Sequence, residues 1–154
     1  GEWLGNPQTL LMVAEVIKQG RSPSSTSQLF AEYVELSLPE ANDARRTKSG
    51  ETTNDVRKNI LGATFAALIL SGKAALARPG ATRNDEDIRL SELGTLDSDF
   101  DWDLVSGNRL IRVVRGDPNR LTYSHRRIGE WLAARWLVRL AGSISYNDRR
   151  CHSD

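Results

Sequence analysis

Leu121-Thr122-Tyr123-Ser124-His125-Arg126-Arg127-Ile128-Gly129-Glu130-Trp131-Leu132-Ala133-Ala134 reads as a strand running straight into a helix, with a histidine at the junction. The first backbone N–H groups of a helix have no partner within it. A histidine held there therefore stands beside a ready anion site, suited to phosphate. The plainer alternative is a capping histidine that bonds only its own turn, and imidazole chemistry allows both. Ser124 adjoins His125, but neighbours on a strand point to opposite faces, which argues against a serine–histidine nucleophile pair.

Other chemically suggestive residues are weaker. The run Asp97-Ser98-Asp99-Phe100-Asp101-Trp102-Asp103 alternates acids as a calcium loop does, yet such a loop needs a glycine where Trp102 stands and a glutamate where Asn108 stands. Those acids better suit the N-terminus of a helix carrying Leu104 and Val105. Cys151-His152 lacks a second ligand pair, so a frayed tail is the better reading and no metal site is expected. No phosphate-cradling G-x-x-x-x-G-K-[ST] loop is present, and no apolar strand ends in paired acids to hold magnesium. The chain alone is not expected to hydrolyse ATP, and no catalytic residue is assigned.

The elements that must position these residues follow from capping and periodicity. Asn6-Pro7 starts a helix of about 7–19, with Leu10, Val13, Ala14 and Ile17 at helical spacing and Gly20 at the stop. Ser25 and Gln28 have the form of a capping box for a second helix, which ends before Pro39. Residues 39–52 are polar and read as a linker loop. A largely buried helix begins near Thr53 and is stopped by Arg78-Pro79-Gly80. Ile88, Leu90, Leu93 and Leu96 suggest a short helix or turn on the same core. A hairpin at about 109–124 takes its turn from Gly116-Asp117-Pro118-Asn119. The final helix, about 125–140, is apolar in nearly every direction and is expected to be buried, with Arg135 and Arg139 placed to stack on Trp131 or pair with a carboxylate.

This order implies a mainly α fold: a helical bundle followed by a winged-helix-like unit with one small β-hairpin as its wing. The corresponding division is a helical subdomain at 1–38, the linker at 39–52, a winged-helix-like domain at 53–142 and a tail at 143–154.

The junction resembles the aromatic-Ser-His, Glu-aromatic-Leu-Ala-Ala signature that closes the winged-helix part of NACHT-type STAND ATPases, signal-transducing NTPases that include innate-immune receptors and their bacterial relatives. Tyr123-Ser124-His125 and Glu130-Trp131-Leu132-Ala133-Ala134 carry the match. The resemblance implies that His125 touches the β-phosphate of ADP and that Pro7, in Asn6-Pro7 ahead of Leu10-Leu11, packs on adenine. Without it, Gly5-Asn6-Pro7 is only a capped helix start. Where the family often has Gln before the Glu, Gly129 stands. The resemblance covers residues 5–140 and implies a fragment of a longer protein, lying behind an NTPase core that binds ATP or ADP with magnesium. The implied partners are that core, a sensor domain and a nucleotide-dependent homo-oligomer.

Composition sets the remaining bounds. The 154 residues are 39% hydrophobic and 27% charged, enough apolar material for a real core. Net charge is only +1, but residues 104–154 hold ten arginines against four acids, leaving −5 for residues 1–103. The basic third, with Arg112, Arg115 and Arg120 on the hairpin, motivates the alternative reading of a nucleic-acid-binding winged helix or a protein-interaction module. Against DNA binding, Leu104-Val105-Ser106-Gly107-Asn108 is short and uncharged where a recognition helix belongs. A single cysteine favours a reducing, cytoplasmic location. No apolar run approaches the roughly 18 residues of a membrane span, and no signal peptide is evident at the start.

Overall fold

The computed structural model describes residues 5–38, 53–82, 84–89, 92–93 and 108–151. Helix α1 (Pro7–Lys18) begins as its sequence dictates. The Asn6 side chain accepts from the Gln8 N–H at 2.9 Å, and Pro7, with no N–H to leave unpaired, fills the first turn. Thr9, Met12 and Val16 face inward, while Leu10, Leu11 and Ile17 stay exposed. Helix α2 (Thr26–Ser37) is capped by Ser25, whose Oγ accepts from the Gln28 N–H at 3.1 Å. The reciprocal half of the expected capping box shifts by one residue. Gln28 Oε1 accepts from the N–H and hydroxyl of Ser24, at 2.9 and 2.7 Å, because Ser24 offers two donors to one oxygen.

Helix α3 (Thr53–Ser71) starts where expected but ends earlier than the Arg78-Pro79-Gly80 stop. The chain turns at Gly72, and Ala75–Ala77 forms β1, a strand buried along its whole length. Strand β2 (Asp87–Arg89) replaces the short helix expected around Ile88, which is buried in it; Leu93 packs half-buried against the core. The expected hairpin is present as β3 (Ile111–Val114) and β4 (Asp117–Tyr123). Its turn is Arg115-Gly116, with Gly116 at φ 80°, so Asp117, Pro118 and Asn119 belong to β4 rather than to the turn. A register shift between Val113 and Val114 leaves Pro118 to Arg120 bulged, the place in a ladder where a residue without an N–H is tolerated.

The strands form one mixed sheet in the order β2-β1-β4-β3, so the hairpin is half of a four-stranded sheet. Strand β1 runs parallel to β2 and antiparallel to β4, with Leu76 opposite Leu121. The fold is thus mainly α with a small sheet. The linker at 39–52, Leu90, Leu96, the acidic run 97–103, Leu104, Val105 and His152 lie outside the described residues, as does the Cys151 side chain.

Helix α4 (Arg126–Cys151) continues eleven residues past the expected end near 140, through most of the expected tail. It runs antiparallel to α3: Tyr123, just before α4, meets Phe65 edge-on at 6.1 Å, Leu132 and Trp136 meet Gly62, and Arg135 meets Asn59 and Asp55. The approach at Gly62 is close. A Cβ there would stand 2.6 Å from the Leu132 carbonyl oxygen and 2.7 Å from Trp136 Cβ, so only glycine fits. Ile128, Leu132 and Ala133 are buried, each large aliphatic side chain contributing about 1.5–3 kcal/mol. The second half of the expected helix departs from expectation: Leu137, Val138 and Leu140 are exposed, as is Ile144 in the continuation, because the antiparallel pairing covers only one side of the helix. One apolar cluster joins Met12, Leu29, Phe65, Leu76, Leu121 and Leu132, so α1 and α2 share their core with the sheet and the α3–α4 pair.

The charge asymmetry of the sequence is partly answered inside the molecule. Arg109 pairs with Glu15 at 2.8 Å, Arg120 with Asp87 at 2.7 Å and Arg135 with Asp55 at 3.8 Å, each joining the basic third to the acidic first two thirds. Lys58 of α3 pairs with Glu35 of α2. Of the two roles open to Arg135, carboxylate pairing is realised, and the Trp131 indole N–H donates to Ser27 Oγ at 3.4 Å.

Candidate functional site

The site around His125 is built by its neighbours in the chain. Buried Asn108 accepts from the Leu110 N–H through Oδ1 at 2.8 Å and from the Ile111 N–H through its carbonyl at 3.1 Å, which folds residues 108–111 into a turn at the start of β3. Ser124 clamps that turn to the end of β4. Its N–H donates to the Leu110 carbonyl and its hydroxyl to the Arg109 carbonyl, both at 2.9 Å. The hydroxyl is therefore committed to backbone. The clamp places Arg109 beside the strand–helix junction, which a reading of sequence spacing alone did not single out.

His125 is the residue before α4, and its carbonyl accepts the first helical bond from the Gly129 N–H at 2.9 Å. Its imidazole lies edge-on to Tyr33 of α2, with ring centroids 6.1 Å apart and planes at 70°. Nδ1 is buried and has no hydrogen-bond partner among the described residues, so it does not close the helix's own turn. Burial holds the imidazole pKa below its ordinary value, opposed more weakly by Glu15, which leaves the ring neutral at pH 7 with one donor and one acceptor nitrogen. Gly129 has a local cause: a Cβ there would come within 3.3 Å of the Tyr123 side chain.

The partly exposed ring borders a hollow of about 400 Å³. One wall comes from α1, through Gln8, Leu11, Met12, Ala14, Glu15 and Lys18, which recur on one helical face. Tyr33 forms a second wall, and Arg109 and His125 complete the rim. The lining thus combines apolar side chains of α1 with three basic groups and one carboxylate. Pro7 is exposed at the first position of the same helix, next to Gln8, and does not line the hollow. The structure brings His125 to the α1 face, at a hollow whose lining includes Gln8 but not Pro7.

The hairpin arginines are differently disposed. Arg120 forks onto Asp87, Arg112 Nε donates to the Tyr123 carbonyl at 3.3 Å, and Arg115 is exposed at the turn. Among the described residues no group of three or more His, Cys, Asp and Glu is placed to hold a metal, and no helix is long and apolar enough to cross a membrane. Comparisons with protein-family models, with characterised proteins and with solved structures found no match to this chain.

Proposed function

We propose that this chain is the nucleotide-sensing lid of a STAND-type ATPase switch, in which a winged-helix-like unit contacts ADP held by an NTPase core of the same protein and favours a closed, autoinhibited state. The observation that carries the reading is the His125 imidazole: it stands at the N-terminus of a long helix, beside an open hollow, with a buried nitrogen that nothing in the described chain satisfies. A buried polar atom without a partner costs free energy, so its persistence fits a partner supplied from outside. The helix start adds unpaired backbone N–H groups and a positive dipole end, both favourable to phosphate. The switch logic is differential contact: a ligand shifts two conformations only by binding one better, and a histidine that meets phosphate in the closed form alone does so. The core would contribute the phosphate loop and magnesium, the cytoplasm the nucleotide, and release of the lid would expose surfaces for assembly.

The test uses the chain itself. ADP at millimolar concentration should shift the His125 imidazole NMR resonances and raise its pKa, since an adjacent anion favours the protonated ring. Adenosine, which lacks phosphate, should do neither. Equal responses to the two ligands, or no response to ADP, would count against phosphate contact.

A further inference from the structure

We propose that Arg109 is the principal phosphate seat of the hollow and that Glu15 is its built-in occupant, a carboxylate that the phosphate of an incoming ligand displaces. This deepens, and rests on, the reading of His125 as a phosphate contact. Arg109 NH2 donates to Glu15 Oε1 at 2.8 Å across 94 positions of sequence, directly at the rim that His125 shares. Both side chains are largely in solvent, 62% and 46% exposed, so the pair is of the weak, replaceable kind. A guanidinium presents five donors in a planar fork that matches phosphate, and the Glu15 carboxylate engages it through one oxygen.

Four further features point the same way. Ser124 pins the Arg109 backbone, so the guanidinium is offered from a fixed base rather than from a free loop. Lys18 lies one turn along α1 from Glu15 on the same face and lines the same hollow, adding a second cation. The His125 ring borders the same hollow, and its buried Nδ1 has no partner among the described residues. Leu11, Met12 and Ala14, in the lining of the same hollow, give a ring attached to the phosphate an apolar surface to cover. The ligand class is therefore a phosphate or polyphosphate ester of a flat ring. While Glu15 holds Arg109, α1 is tied to the start of β3; displacement frees α1 from that tie.

The experiment is a titration of the 154-residue chain with inorganic pyrophosphate at low salt, followed through the His125 imidazole and Arg109 Nε resonances. Glu15→Gln should tighten pyrophosphate about two- to fivefold, the worth of an exposed ion pair. Arg109→Gln should weaken it at least as much while leaving the melting temperature close to that of the wild type. An unchanged or weaker affinity in Glu15→Gln overturns the displacement, and an unchanged affinity in Arg109→Gln overturns the seat. If pyrophosphate moves His125 equally in all variants, the His125 reading survives and this inference fails. No response in any variant sinks both.

Discussion

Replacing Gly62 by alanine tests the packing that holds α3 against α4. In most helix interiors this change stabilises by about 1 kcal/mol, since alanine restricts the unfolded chain and suits the helix. Here the added methyl would stand 2.6 Å from a backbone oxygen of α4 and 2.7 Å from a Cβ, neither of which is the end of a flexible side chain. Relief requires the two helices to separate by several tenths of an ångström along their contact, and overpacking of this kind costs about 1–3 kcal/mol. With rigid atoms on both sides the upper end applies, leaving a net loss of about 2 kcal/mol after the helical gain. In a domain of this size that is a fall in Tm of about 4–8 °C. Gly142, on α4 with nothing within 4 Å, is the internal control: Gly142→Ala should raise Tm by about 1–3 °C. Thermal unfolding followed by circular dichroism reads both. A Gly62→Ala variant as stable as the Gly142→Ala variant would refute the close approach.

Three further outcomes follow from the structure. Arg120→Met leaves the Asp87 carboxylate, 2% exposed, without its guanidinium, and denaturant unfolding should show a loss of about 2 kcal/mol; a loss below about 0.5 kcal/mol would contradict the ion pair's role in joining β2 to β4. Burial holds His125 below its ordinary pKa of 6.5, so between the folded value and 6.5 the unfolded chain binds the proton and the folded chain does not. Stability should therefore decline as pH falls below about 6.5, and His125→Gln should flatten that part of the Tm–pH curve; an unaltered curve would mean that the ring is not desolvated. Ser25→Ala removes the α2 cap and should cost about 1 kcal/mol in the same unfolding assay, with no change as the contrary result.

What the sequence made legible divides by physical cause. Capping chemistry is local, so Asn6-Pro7 and Ser25 located helix beginnings that the structure reproduces, and helical periodicity did the same for the start near Thr53. The hairpin was legible from its alternation and its glycine, although Pro118 drew the turn too far along the chain. The strands at Ala75–Ala77 and Asp87–Arg89 were missed because three residues carry no measurable period, and only their pairing with each other, and of the first with β4, makes them strands. Helix α4 showed its start but not its burial: apolar residues on every side suggested enclosure, whereas Val138 and Leu140 are 71% and 40% exposed. At the site, His125 was visible by type and position. Arg109, Glu15 and Tyr33 were not, since an ion pair across 94 positions and a ring contact between α2 and the junction leave no trace in spacing.

The central claim, that His125 holds a phosphate in one state of a switch, is tested most directly by the rate of ADP release from a protein that carries this segment behind a phosphate-binding loop. Loss of a hydrogen bond to a charged group predicts that His125→Ala speeds release about tenfold or more. Release at the wild-type rate would contradict the account.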